Sequence, residues 1–203
     1  CLKEKIIGRI HGVIVDIGQY LPDWRPGTDY RNNVSASRSL GGGVLLELSH
    51  ELDYIGWFFG EFATVYCVAR NTGTLDIDVE DSVDAVLTRA DGLTVNLHMD
   101  FLQRYPQRTC KIIGENGTII WSLLDNKVVK YGPGRSVIEL FEDSQYDWNT
   151  MYIDELKRFD MVAAGKLPPM VTFDDAYNTL KLIDALRQSA SSQEVRRVSE
   201  PIS

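Results

Sequence analysis

Leu93-Thr94-Val95-Asn96-Leu97-His98-Met99-Asp100-Phe101 carries an apolar side chain at every odd position and a polar one at every even position. Successive side chains of a strand point to opposite faces, so this stretch predicts a strand with one face in a core and the other turned outward. Ala90-Asp91-Gly92 supplies a hairpin turn before it. Glu115-Asn116-Gly117 supplies another, between Lys111-Ile112-Ile113 and Thr118-Ile119-Ile120-Trp121. Short strands joined by tight turns, from Phe62 to Leu140, imply an antiparallel meander rather than a series of βαβ units.

Upstream of the meander, Ile6 to Gln19 is rich in β-branched residues and reads as a long strand. In Tyr20-Leu21-Pro22-Asp23-Trp24-Arg25-Pro26-Gly27 the prolines forbid regular pairing, so this is a loop. Gly41-Gly42-Gly43 then leads into a helix from Val44 to Gly60, with Leu45, Leu48, Leu52, Ile55 and Phe59 on one apolar face. Downstream, a helix is expected from Asn149 to Gly165. After Pro168-Pro169, Thr172-Phe173-Asp174-Asp175 caps a second one, which runs to about Ser189 with Ala176, Leu180, Ile183 and Leu186 in helical step. Residues 191–203 are polar and are expected to form a loose tail. Strands grouped in the middle with helices at both ends define an α+β fold: an open, mostly antiparallel β-sheet with helices packed on one face.

The chain of 203 residues is long enough for one well-cored domain spanning 1–203. Its net charge of −8, with no basic–aromatic cluster, argues against nucleic acid as a partner. Its apolar stretches fall short of the roughly 18–20 residues that a membrane helix needs. Cys1, Cys67 and Cys110 form no CxxC pair. Cys67 and Cys110 lie in strand-like surroundings and read as reduced core thiols of a cytoplasmic protein, with no support for structural zinc. The start, Cys1-Leu2-Lys3-Glu4-Lys5, reads as an internal segment of a longer protein.

Glu47, His50 and Asp53 stand three apart on the first helix, so on a continuous helix they share one stripe. A histidine flanked by carboxylates suits general acid/base chemistry, but the same spacing fits a solvated polar face, and more weakly a metal site. The three glycines offer either an anion cradle or room for close backbone approach, and the spacing favours the second, since no GxGxxG occurs in the chain. Trp24, Arg25, Tyr30 and Arg31 would suit a polyhydroxylated or anionic substrate, or simply a packed loop. Asn149 and Tyr152, one helical step apart, could point into the same site or act as cap and core residues. His98 reads as a surface or interface residue and His11 as a satisfied strand residue.

The stretch Gly41-Gly42-Gly43-Val44-Leu45-Leu46-Glu47-Leu48-Ser49-His50-Glu51-Leu52-Asp53-Tyr54-Ile55-Gly56-Trp57-Phe58-Phe59-Gly60-Glu61 resembles the signature helix of the Gfo/Idh/MocA family, named for glucose–fructose oxidoreductase and inositol dehydrogenase. The loop Gly18 to Pro26, the turn Gly114-Glu115-Asn116-Gly117-Thr118, the order of strands then helices, and Asn149-xx-Tyr152-xx-Glu155-Leu156 are similar to the same family. The resemblance implies the C-terminal, substrate-side and oligomerisation domain of such an enzyme. The N-terminal Rossmann domain, with its glycine-rich NAD(P) loop and the lysine of a Glu-Lys-Pro motif, is absent from this sequence.

By the same resemblance His50 is the catalytic histidine and Asp53 the acidic residue three positions on. Many members carry an aspartate four residues before the histidine. Leu46 stands there in this chain, with Glu47 as the nearest carboxylate. The implied activity is hydride transfer between NAD or NADP and a secondary alcohol of a sugar, cyclitol or nucleotide-sugar-like substrate. The fragment alone would hold no cofactor and turn over nothing. The outward sheet face (Thr94, Asn96, His98, Asp100) is expected to meet a second subunit of a homo-oligomer. The rival is a non-catalytic binding or dimerisation module that retains the fold, and a metal-dependent hydrolase stands third.

Overall fold

A computed structural model describes residues 2–198. Within that span one nine-stranded sheet carries the core, in the order β8-β7-β6-β5-β1-β4-β3-β2-β9. Strand β1 (Ile10–Gly18) lies at its centre, parallel to β4 (Thr94–Asp100) and antiparallel to β5 (Gln107–Gly114). Two meanders extend from it. One runs through β4, β3 (Ser82–Thr88) and β2 (Thr64–Arg70), and the other through β5, β6 (Gly117–Ser122), β7 (Lys127–Tyr131) and β8 (Val137–Glu142). Every pairing except β1–β4 is antiparallel, as the meander pattern predicts.

The alternation read from 93–101 sets the two faces. Val95, Leu97 and Met99 join Val13, Val15, Val83, Leu87 and Cys110 in a buried layer. Helices α2 (Ser49–Phe59) and α4 (Phe173–Ser192) close that layer through Leu52, Ile55 and Phe59, and through Leu182, Ile183 and Leu186. Burying such side chains contributes about 1.5–3 kcal/mol each, which makes this contact the main stabilising element.

Four expectations change in detail. The first strand is shorter than Ile6–Gln19, because Lys5 and Gly8 adopt positive φ (52° and 71°) and turn the chain before Ile10. His11 is exposed at a register shift between Ile10 and Gly12. Helix α3 (Asn149–Ala163) buries no residue, so the two C-terminal helices do not pack on the sheet as a pair. The first turns of α4 share this exposure: Ala176 and Leu180 face solvent, and the packed face starts at Leu182. The Thr172 cap does form, with Thr172 Oγ1 accepting from Asp175 N at 3.2 Å and Asp175 Oδ2 accepting from Thr172 N at 2.7 Å.

The tail from Ser191 is not loose as far as it is described. α4 continues to Ser192, Gln193 closes it in the left-handed region, and β9 (Arg196–Arg197) pairs with β2. The buried Ser189 hydroxyl donates to Glu194 O at 2.6 Å and accepts from Cys67 N at 3.0 Å, tying this segment to the sheet. The remaining residues of the expected tail, 199–203, lie outside the described span.

Candidate active site at the start of helix α2

The segment that follows the glycines is two helices, not one. α1 (Val44–Glu47) ends at Leu48 (φ −102°, ψ 23°), and α2 begins at Ser49. The chain is tied on either side of this break. Before it, Val44 N and Leu45 N donate to the backbone and side-chain oxygens of Glu80 at 3.2 and 3.1 Å. After it, Glu51 is held by Arg108 on β5. The glycines serve close approach. A side chain at Gly42 would collide with the carbonyls of Val34 and Ser35, and one at Gly43 (φ +107°) with the Glu80 carboxylate. The helix start is thus occupied by the chain's own acid.

The break falls between Glu47 and the other two residues of the expected triad. Glu47 closes α1, and Asp53 on α2 accepts a hydrogen bond from Thr179 Oγ1 of α4 at 3.1 Å, joining the two helices. The carboxylate beside His50 is neither of these: Nε2 lies 3.2 Å from Oε1 of Glu51. His50 keeps 48% of its side-chain surface exposed while Glu51 keeps 1%. Arg108 donates to the same Oε1 from Nε at 2.8 Å and approaches it with Nη2 at 2.6 Å, whereas Oε2 has no hydrogen-bond partner. Tyr54, one turn on, has its phenol pushed far up by burial and then by the Glu51 charge, so it stays protonated. Sequence spacing missed Glu51 and Arg108. The signal for Glu51 was a charge at an inward-facing position between Leu48 and Leu52, and Arg108 had none.

The loop residues divide. Trp24 is held edge-on against Phe101 with centroids 5.3 Å apart, and its Nε1 donates to Gln19 O at 3.2 Å. Tyr30 Oη accepts from Asp76 N at 3.2 Å. Arg31 spends its fork on Asp29, with Nε–Oδ1 at 2.8 Å and Nη2–Oδ2 at 2.7 Å, and this lowers the Asp29 carboxyl pKa. Only the Arg25 guanidinium, among these four and within the described residues, is exposed and without a hydrogen bond or ion pair. A second exposed guanidinium, Arg104, lies 3.5 Å over the Tyr20 ring. Asn149 and Tyr152 sit on the exposed α3, and no bond joins them to His50. Asp53 instead lines an open groove of about 680 Å³ between α2 and α4, with Trp57, Met170 and Thr179.

On the outward sheet face His98 is not a lone surface residue. Its Nδ1 lies 2.7 Å from Asp84 Oδ1 on β3 and its Nε2 2.7 Å from Asp100 Oδ2. Asp100 is buried rather than outward-facing, because Leu102 N, Gln103 N and Gln103 Nε2 all donate to it, and Gln103 reaches on to Asp16 of β1 at 3.0 Å. Of the face expected to meet a partner, Thr94 and His98 are half-buried and Asn96 is exposed. Cys67 and Cys110 are buried free thiols, each pushed up to about 12, mainly by burial. Among the described residues no group of His, Cys, Asp or Glu is arranged to hold a metal ion, and no helix is long and apolar enough to cross a membrane.

The class is thus an α+β domain with an open sheet, helices on one face, and a half-exposed histidine in the first turn of the second of two helices that follow the three glycines. A family model described as the GFO/IDH/MocA C-terminal domain matches residues 1–120, and the chain belongs to that family. No curated protein matches the sequence. Among solved structures, levoglucosan dehydrogenase in complex with NADH and levoglucosan superposes with a TM-score of 0.84 at 19% identity, over 98% of this chain and 62% of that one. An NAD-binding oxidoreductase from Klebsiella pneumoniae gives 0.80 at 14% identity over 98% and 62%. An oxidoreductase from Agrobacterium radiobacter in complex with NAD+, L-tartaric acid and magnesium gives 0.74 at 17% over 97% and 59%. At these identities the likeness is one of fold, and the chain spans about three-fifths of the length of these relatives.

Proposed function

We propose that the intact protein is an NAD- or NADP-dependent oxidoreductase acting on a secondary alcohol of a sugar, cyclitol or nucleotide-sugar-like substrate. In this reading His50 takes up and returns the hydroxyl proton. The observation that carries it is the half-exposed His50 imidazole in the first turn of α2, with one ring nitrogen beside a carboxylate and the other unbonded among the described residues. That is the arrangement a general base near neutral pH requires. Family membership and the sugar and NADH in the levoglucosan dehydrogenase complex support the reaction class. In this reading the exposed, unpaired Arg25 is the loop residue that grips substrate. Trp24, Tyr30 and Arg31 shape the loop around it, while Asp53 holds α2 on α4.

The described residues do not fit the dinucleotide. Among the described residues α1 is the α-helix that starts on a glycine, and that start is taken by Glu80, so in this reading the pyrophosphate is held elsewhere in the intact protein. When bound there, the nicotinamide supplies the hydride acceptor. This chain contributes the proton relay and the substrate grip, and a second copy would meet the outward sheet face, where Ile14, Tyr66, Val68 and Val86 are exposed beside Asn96. The same exposed face is what a non-catalytic dimerisation module would need, and the two readings part on turnover. The intact protein, incubated with NAD+ or NADP+ and a panel of sugars and cyclitols that includes levoglucosan, is expected to reduce one cofactor. No reduction with any member would remove the oxidoreductase reading.

A further inference from the structure

Glu51 is an expensive residue to place where it is. Its side chain is 1% exposed, it lines a small pocket with Tyr54, Cys110 and Trp121, and one of its oxygens has no hydrogen-bond partner. A buried carboxylate gains less from its partner than it loses in hydration unless its geometry is nearly ideal, so an aliphatic side chain would serve stability as well or better. Two features give it a use. Arg108 brings two nitrogens to one oxygen, Oε1, from the rigid strand β5, so that oxygen cannot swing. The same oxygen is the one that faces His50 Nε2 at 3.2 Å.

We infer that Glu51, locked by Arg108, is the positioning residue for His50. A fixed negative oxygen beside Nε2 favours the tautomer with its proton on that nitrogen and leaves the Nδ1 lone pair free to receive the substrate's hydroxyl proton. On proton uptake the imidazolium holds both protons, with the Nε2 proton still facing Glu51, and the Nδ1 proton is the one returned. Glu51 itself gains and loses nothing. The logic is that of an acid behind a catalytic imidazole, which sets tautomer and orientation rather than taking the proton. The catalytic consequence rests on His50 being the base, whereas the tautomer claim stands without it.

The test reads the ring directly. ¹⁵N NMR of the imidazole in the intact protein, above the pH at which His50 is neutral, is expected to show the Nε2-protonated form. A neutral His50 protonated on Nδ1 in the unmodified protein overturns the proposal with no variant required. Glu51→Gln is expected to shift the ring towards a mixture of tautomers and to lower kcat roughly 10- to 100-fold with KM little changed, measured with the panel substrate that turns over. Arg108→Lys, which keeps the charge but loses the fork, is expected to do the same to a smaller extent. An unchanged tautomer in a folded Glu51→Gln variant also overturns the proposal. His50→Asn in parallel separates the claims: full activity there sinks the base assignment, while the spectrum still decides the role of Glu51.

Discussion

Arg108 on β5 and the fully buried carboxylate of Glu51 form an ion pair, with Nε 2.8 Å and Nη2 2.6 Å from a single oxygen. Removing one member of such a pair leaves a buried charge uncompensated. Arg108→Ala is expected to lower stability by about 3 kcal/mol, the lower end of the usual range because the arginine is partly exposed. Replacing Glu51 by Leu in the same protein should restore most of that loss. Urea denaturation of the single and double variants checks both.

His98, between Asp84 and Asp100, gives the outward face a pH dependence. Its pKa is raised from 6.5 to about 9, first by the hydrogen bond to Asp100, against the opposing effect of burial and with help from Asp84, which also faces Arg70 at 3.6 Å. The folded value lies above the unfolded one, so the stability it contributes is fully present below pH 6.5 and is lost as pH rises through about 9. Asp100 is lowered from 3.8, so its share is present above that value and is lost as pH falls below it. His98 is about one-third exposed (37%), so solvent screening holds its effect to on the order of 1 kcal/mol. The stability gap between the native protein and His98→Gln, measured from pH 6 to 10, is expected to close towards the alkaline end.

Much of this fold is written in side-chain period. Alternation over 93–101 places Val95, Leu97 and Met99 inward, and Thr172–Asp175 marks a helix start that forms as a capping box. What escapes is whatever depends on partners far away in the chain. Helical spacing groups Glu47, His50 and Asp53, yet the helix restarts at Leu48, His50 meets Glu51, which Arg108 holds, and Asp53 meets Thr179. Polar composition makes the tail look loose, but Ser189 and β2 capture it through Val198. Strand alternation puts Asp100 outward, and the turn at Leu102 and Gln103 folds back to cover it.

Gly42 and Gly27 separate crowding from backbone strain. An added methyl at Gly42 meets backbone carbonyls with no room to yield, so Gly42→Ala is expected to cost about 2–3 kcal/mol. Gly27, at φ +82°, has nothing within 4 Å of an added methyl, so Gly27→Ala should cost only the left-handed penalty of about 1 kcal/mol. Thermal unfolding of the two variants side by side tests the order.

Ser189→Ala removes a buried hydroxyl that serves Cys67 N and Glu194 O together. The expected loss is about 1–3 kcal/mol, since both backbone groups lose their partner. Amide exchange at 194–198 should quicken with it, and unchanged exchange would show that β9 holds this segment alone.

His50 is the residue on which the proposed chemistry turns. Turnover of the intact protein carrying His50→Asn, with cofactor and the accepted sugar or cyclitol both saturating, is predicted to fall by roughly 10²- to 10⁴-fold while the fold and cofactor binding persist. A rate close to that of the unaltered protein would contradict it.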